Sequence, residues 1–185
     1  MSQYDVPLKN SVVLNVRGSP VSIDLTPIKA GLAIVLLGLM LSIALGISFG
    51  VNEDAFKNYV AEGIAANPEL HDDSSQDKIW RYAQRTHFHA GGIAAFCLGL
   101  IILVLLSDLS KRMQRRASIL IGMGSIYPLA WYAMFLLAPS IGRNAAHEHI
   151  LTKLITIIGV GGLLLGCFVL FANLFLGKFA GTDVE

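Results

Sequence analysis

An all-α integral membrane protein, built as a four-helix bundle, is the fold class this sequence predicts, and three observations predict it. Of its 185 residues, 54% are apolar and only 15% charged, a balance far from that of ordinary soluble domains. Four runs, at 30–51, 87–107, 117–142 and 154–177, contain no Asp, Glu, Lys or Arg. At about 1.5 Å of rise per residue, each is long enough to cross a hydrocarbon layer of roughly 30 Å. Lipid offers no partners to backbone amides, so each run is expected to be a helix, and short or moderate connections gather the four into one bundle.

The elements follow in order. Residues 1–28 form an N-terminal segment in which two β-rich runs flank Arg17, Gly18, Ser19 and Pro20, a composition that suits a short hairpin. Alone in water such a hairpin is marginal, so it is expected to lean on a partner chain or on the loops at its end of the bundle. The first helix is expected at about 29–51. The loop after it is expected to be partly helical: Asn52 is placed to cap, and Phe56, Tyr59, Val60 and Ile64 recur at helical spacing, as in a helix lying on the membrane surface. The second helix is expected at about 77–108, with Trp80 and Tyr82 at the level of an aromatic belt. The third is expected at about 117–141, bent at Pro128, whose freed carbonyl Ser125 or a neighbour would meet. The fourth is expected at about 145–177, leaving 178–185 as a tail; residues 29–177 thus form the bundle domain.

Lys111, Arg112, Arg115 and Arg116 crowd the tight loop between the second and third helices, which places that loop on the cytoplasmic side. Four crossings then bring both termini to the cytoplasm, with a bacterial inner (plasma) membrane as the expected location. Lys57, Lys78, Arg81 and Arg85 in the long loop pull the other way. The first apolar run begins near residue 30 and lacks a small-residue cleavage site, so it is expected to stay in the bilayer. A net charge of +1 without a dense basic patch excludes nucleic acid as a partner. Lipid is the first expected partner, followed by other membrane subunits or copies of the same chain.

Small residues mark the expected helix contacts: Gly46 and Gly50 in the first helix, Gly92, Ala95 and Gly99 in the second, and Gly159, Gly162 and Gly166 in the fourth. Cys97 and Cys167 fall at different depths of separate runs, so they are expected to be free.

Two histidine pairs carry the chemistry. His87 and His89 open the second apolar run, and His147 and His149 open the fourth. Parity of crossings brings all four to one end of the bundle, whichever way the protein faces. Two positions on a helix differ by about 200° of rotation, so neither pair can chelate one ion from a regular helix. The simplest arrangement turns one imidazole of each pair inward at matching depth, as a bis-histidine b-type haem (haem b) requires. Gly91 follows His87 by four and Gly92 follows His89 by three, which leaves room for a flat ring one turn deeper. Arg81 and Arg85 are placed to pair with propionates, and Tyr82 or Trp131 to line the ring edge.

The residues leave three readings open. The first is an electron-transfer subunit carrying this haem near the outer membrane surface, next to a quinone. The second is a copper, zinc or iron site in a membrane enzyme or metal-handling protein, built from His87, His89, His147, His149 and Glu148 or from His71 to Asp73. The third is an accessory subunit without cofactor, its histidines serving as ordinary interfacial residues. Ionisable groups near membrane depth are costly and usually serve a site, which favours the first two. Lys153 reads either as a counter-charge in that site or as a lysine reaching up to water, and Arg143 as a tether to headgroups. No CxxCH, phosphate-cradling glycine loop, Gly-x-Ser-x-Gly elbow or HExxH helix is present.

Overall fold

The computed structural model describes residues 11–16 and 19–181; positions 17 and 18 of the expected hairpin turn, and residues 1–10 and 182–185, lie outside them. Two antiparallel strands, β1 (Ser11–Val16) and β2 (Ser19–Asp24), pair from Ser11 with Asp24 to Val16 with Ser19. Six helices follow: α1 (Lys29–Ala66), α2 (Ser75–Leu106), α3 (Lys111–Met123), α4 (Pro128–Ile141), α5 (Arg143–Glu148) and α6 (Ile150–Leu176). Together they supply four segments long and apolar enough to cross a membrane, Thr26–Ala66, Ser75–Leu106, Lys111–Ile141 and Ile150–Leu176.

The segment built from α3 and α4 is central. Half of its most apolar stretch (50%) is buried, against 22%, 28% and 22% for the first, second and fourth segments. It packs against α1, α2 and α6, whereas α2 and α6 barely touch. The closest crossing lies between α1 and α3, where a Cβ on Gly31 would stand 2.2 Å from the backbone oxygen of Ser118 and one on Gly122 would stand 2.9 Å from that of Gly31. The fourth segment is held by the expected glycine stripe: Gly159 rests on Tyr127, Gly162 on Met123 and Gly166 on Ile121. The stripes expected on the other helices divide differently. Gly46 carries the His87 ring, while Gly50, Gly92 and Gly99 have nothing within 4 Å of where a Cβ would stand.

Three expectations about the helices are corrected. The first helix does not stop near residue 51. It kinks at Asn52 (φ −152°, ψ 63°), whose side-chain oxygen accepts from Ala55 N at 3.2 Å, and then runs on to Ala66. That extension does not stand alone on a surface: Phe56, Val60 and Ile64 pack with Ile79, Trp80, Phe135 and Ala138 in a second core. The third helix is interrupted, not merely bent, because Pro128 has no N–H to continue the ladder; a turn at Gly124–Ile126 ends one helix and Pro128 starts the next at a position where an N–H is dispensable. Ser125 packs against Gly38 of α1. The fourth helix begins at Ile150, not near 145, because His149 has extended backbone (φ −59°, ψ 138°) and separates α5 from α6.

The hairpin end is closed by the tail, where Gly181 N donates to Asp108 O at 3.0 Å and Leu109 bridges Ala180. Ile23 and Asp24 of β2 share a polar hollow there with Asp108 and Lys111, so the hairpin meets the α2–α3 connection as expected. The opposite end carries all four paired histidines. Its loops are tied together by Asp72, which accepts from Ser74 and Ser75 at the start of α2 and from Arg143 at 3.2 Å. Those hydroxyl donors, aided by Lys78, hold the Asp72 carboxyl down to about 2. Cys97 and Cys167 are both free.

Candidate functional site

The two α2 histidines point to different neighbours, as the helical rotation requires. His87 turns to α1, its Nδ1 donating to Ser42 O at 2.9 Å while Ser42 Oγ donates back to His87 O at 3.0 Å. His89 turns to α4, with Nδ1 donating to Arg85 O at 3.0 Å and its ring centroid 5.9 Å from both Tyr127 and Trp131. A carbonyl oxygen can only accept, so in both rings the proton sits on Nδ1 and the lone pair is left on Nε2.

The other pair divides as well. His147, the penultimate residue of α5, donates from Nδ1 to Glu148 Oε1 at 3.2 Å, which in the neutral ring leaves the lone pair on Nε2 of a side chain that is 66% exposed. Glu148 also pairs directly with Lys153. Those two partners, the lysine first, hold the Glu148 carboxyl below its ordinary value and so keep it an acceptor. His149 is the odd one. It caps α6, its Nδ1 accepting from Leu151 N at 3.3 Å, so its proton sits on Nε2 and that nitrogen offers no lone pair.

The sequence expectation that imidazoles of the second and fourth segments face each other inside the bundle is therefore corrected. The α3–α4 segment stands between those helices, and His87 is spent on α1. The space expected beside Gly91 is taken by Ser42, whose Oγ stands 2.8 Å from where a Cβ would be. Gly92 faces open surface. Arg81 is exposed on α2, and the Arg85 guanidinium stacks on Trp131 at 4.7 Å. His71 donates from Nε2 to Pro139 O at 3.0 Å, Asp72 is committed to Arg143 and the start of α2, and Arg143 thus ties two loops together. Among the described residues no three His, Cys, Asp or Glu side chains come together as a metal-binding group.

What the fold does assemble is a cleft of about 210 Å³ between α4 and the start of α6. Its walls include Tyr127 just before α4, Trp131 and Met134 from α4, His147 from α5, and Thr152 and Thr156 from α6. Ile157 lines it and is 67% exposed, so the cleft opens on the outer flank of the bundle. Most of the polar atoms near it are already paired. Thr152 Oγ1 donates to Ala146 O and Thr156 Oγ1 to Thr152 O, both at 2.8 Å. Trp131 Nε1 donates to Tyr127 Oη at 3.0 Å. That bond uses a lone pair of the phenol and leaves its O–H free to donate. Tyr127 Oη–H and, on an exposed side chain, His147 Nε2 are thus one donor and one acceptor at a mostly apolar cleft whose threonines and lysine are already paired, the composition of a small-molecule site.

Sequence reasoning reached His147, Trp131 and Lys153 but missed Tyr127, Thr152 and Thr156. Tyr127 and Trp131 stand four apart, as do Thr152 and Thr156, and each pair is a polar stripe within an apolar helix that would have marked a common face. No family model, curated protein or solved structure matches the chain.

Proposed function

We propose that this is a membrane protein whose work is done at the α4–α6 cleft, where a lipid-borne small molecule inserts its polar headgroup from the bilayer. The observation that carries this reading is the free Tyr127 O–H and the neutral-ring His147 Nε2 at one mostly apolar cleft that opens on an apolar flank. Ile150, Leu154 and Ile157 supply that flank, at 64%, 49% and 67% exposure, and a molecule dissolved in lipid reaches the cleft without crossing water. Organic extracts of purified protein are expected to contain one such molecule in near-stoichiometric amount. Thr156→Phe, which fills the cleft from α6, is expected to lower its recovery at least fivefold, and Ala130→Leu fills it independently from α4. Recovery unchanged by both variants, each shown to be folded, would refute the reading.

A second reading keeps electron transfer through haem b. It is favoured by the Nε2 lone pairs of His89, whose ring lies 5.9 Å from both Tyr127 and Trp131, and of His147, which lines the cleft with them, and by Arg85 stacked on Trp131. It puts His147 on an iron and so competes with the first reading for the same nitrogen. Metal ligands commonly donate their other ring nitrogen to a carbonyl or carboxylate, as these two do. The fit is poor on size: a cleft of about 210 Å³ lies below the roughly 300–1,000 Å³ that enclose a whole drug-sized ligand, room for a headgroup but not for a porphyrin. A cofactor-free accessory role leaves the cleft without an occupant.

A further inference from the structure

We infer that the headgroup belongs to the quinone class: a planar ring that presents a carbonyl oxygen when oxidised and a hydroxyl when reduced. This rests on the cleft being a ligand site and goes beyond it by naming the chemistry.

Charge comes first. Lys153 is the one Lys or Arg side chain on the cleft wall, and it is closed in a direct ion pair with Glu148. An anionic phosphate headgroup therefore finds no free lysine or arginine there, and a neutral group is preferred, because removing an unpaired charge from water is expensive. Shape comes second. Trp131 and Tyr127 offer ring surfaces on one wall, and Met134 a polarisable thioether, which suit a flat ring better than a branched sugar or a flexible alcohol.

Hydrogen-bond polarity is the third constraint and the most selective. The Tyr127 O–H is satisfied only by an acceptor, and its oxygen already receives the Trp131 N–H. In the neutral ring His147 Nε2 is an acceptor, because its Nδ1 proton is directed to Glu148, and on a side chain that is 66% exposed a ligand hydroxyl would take the place of water there. A quinone carbonyl oxygen accepts the first bond, and in the quinol the hydroxyl oxygen at that position accepts it in turn, while a quinol O–H donates the second. Oxidised and reduced forms thus share the Tyr127 bond, and only the reduced form gains the His147 bond.

The sequence contains two tryptophans, and Trp131 alone lines the cleft, which supplies the test. In Trp80→Phe protein, a short-chain ubiquinone analogue is expected to quench Trp131 emission saturably, with the anaerobically reduced analogue relieving the quench by competition. Tyr127→Phe is expected to weaken both forms by up to about tenfold, the effect of one hydrogen bond, and His147→Ala to weaken only the reduced form. Should Trp80→Phe not fold, Trp131→Phe in the native background must abolish the saturable component. Quenching that rises linearly without saturation overturns the inference, as does saturable quenching unmoved by Tyr127→Phe. Relief of the quench by anionic phospholipid vesicles would also overturn it and assign the cleft to a phosphate headgroup. Failure here with a different molecule recovered from organic extracts removes the quinone but leaves the cleft reading intact; failure with empty extracts removes both.

Discussion

Gly31→Ala is expected to destabilise the protein by about 3 kcal/mol or more, at the upper end of what overpacking costs. The added Cβ would stand 2.2 Å from the backbone oxygen of Ser118 and 2.4 Å from its carbonyl carbon, so no rotamer change relieves it. Relief requires α1 to move off α3, and Gly122 faces Gly31 at the same crossing, so both sides of the contact must give. Thermal unfolding in detergent measures the loss. Gly50→Ala is the matched control, because nothing lies within 4 Å of its added carbon. A Gly31→Ala protein as stable as the control would mean that α1 and α3 do not meet as described.

Phe135→Ala is expected to cost about 3–5 kcal/mol, the range for emptying a buried aromatic site. Phe135 is only 2% exposed, and its ring meets Phe56, Tyr59 and Tyr132 at centroid distances of 6.2, 5.5 and 5.8 Å. It joins the extension of α1 to α4, a contact reinforced by Tyr59 Oη donating to Leu136 O at 2.7 Å. The loss should therefore be local. Amides of residues 53–66 should exchange faster with solvent and Trp80 emission should shift to the red, while protection around Ile101 and Ile121 in the other core should persist. Uniform loss of protection would show that the two cores unfold as one.

The helices were legible because each uncharged run is long and apolar enough to cross a membrane, where a helix satisfies its own backbone, and the Asn52 cap was legible because a side-chain acceptor beside acidic residues has a local cause. Where the capped helix goes was not. Phe56, Val60 and Ile64 announce an apolar face, but a membrane surface and a protein core make the same demand on that face. The opposite headings of His87 and His89 followed from helical rotation, yet their destinations depended on α1 and α4 flanking α2, an order of packing that no local pattern encodes. His149 was misread for a different reason. It interrupts the last helix without glycine or proline, and its ring replaces a conventional cap by accepting from Leu151 N.

The absorption spectrum of the purified protein tests the central claim most directly, that the α3–α4 segment divides the histidines and leaves a headgroup cleft instead of a porphyrin site. With the cleft as the working site, protein freshly purified and reduced is expected to show no Soret band. A Soret band with sharp reduced α and β bands, lost in both His89→Ala and His147→Ala, would contradict it and give those two imidazoles to haem.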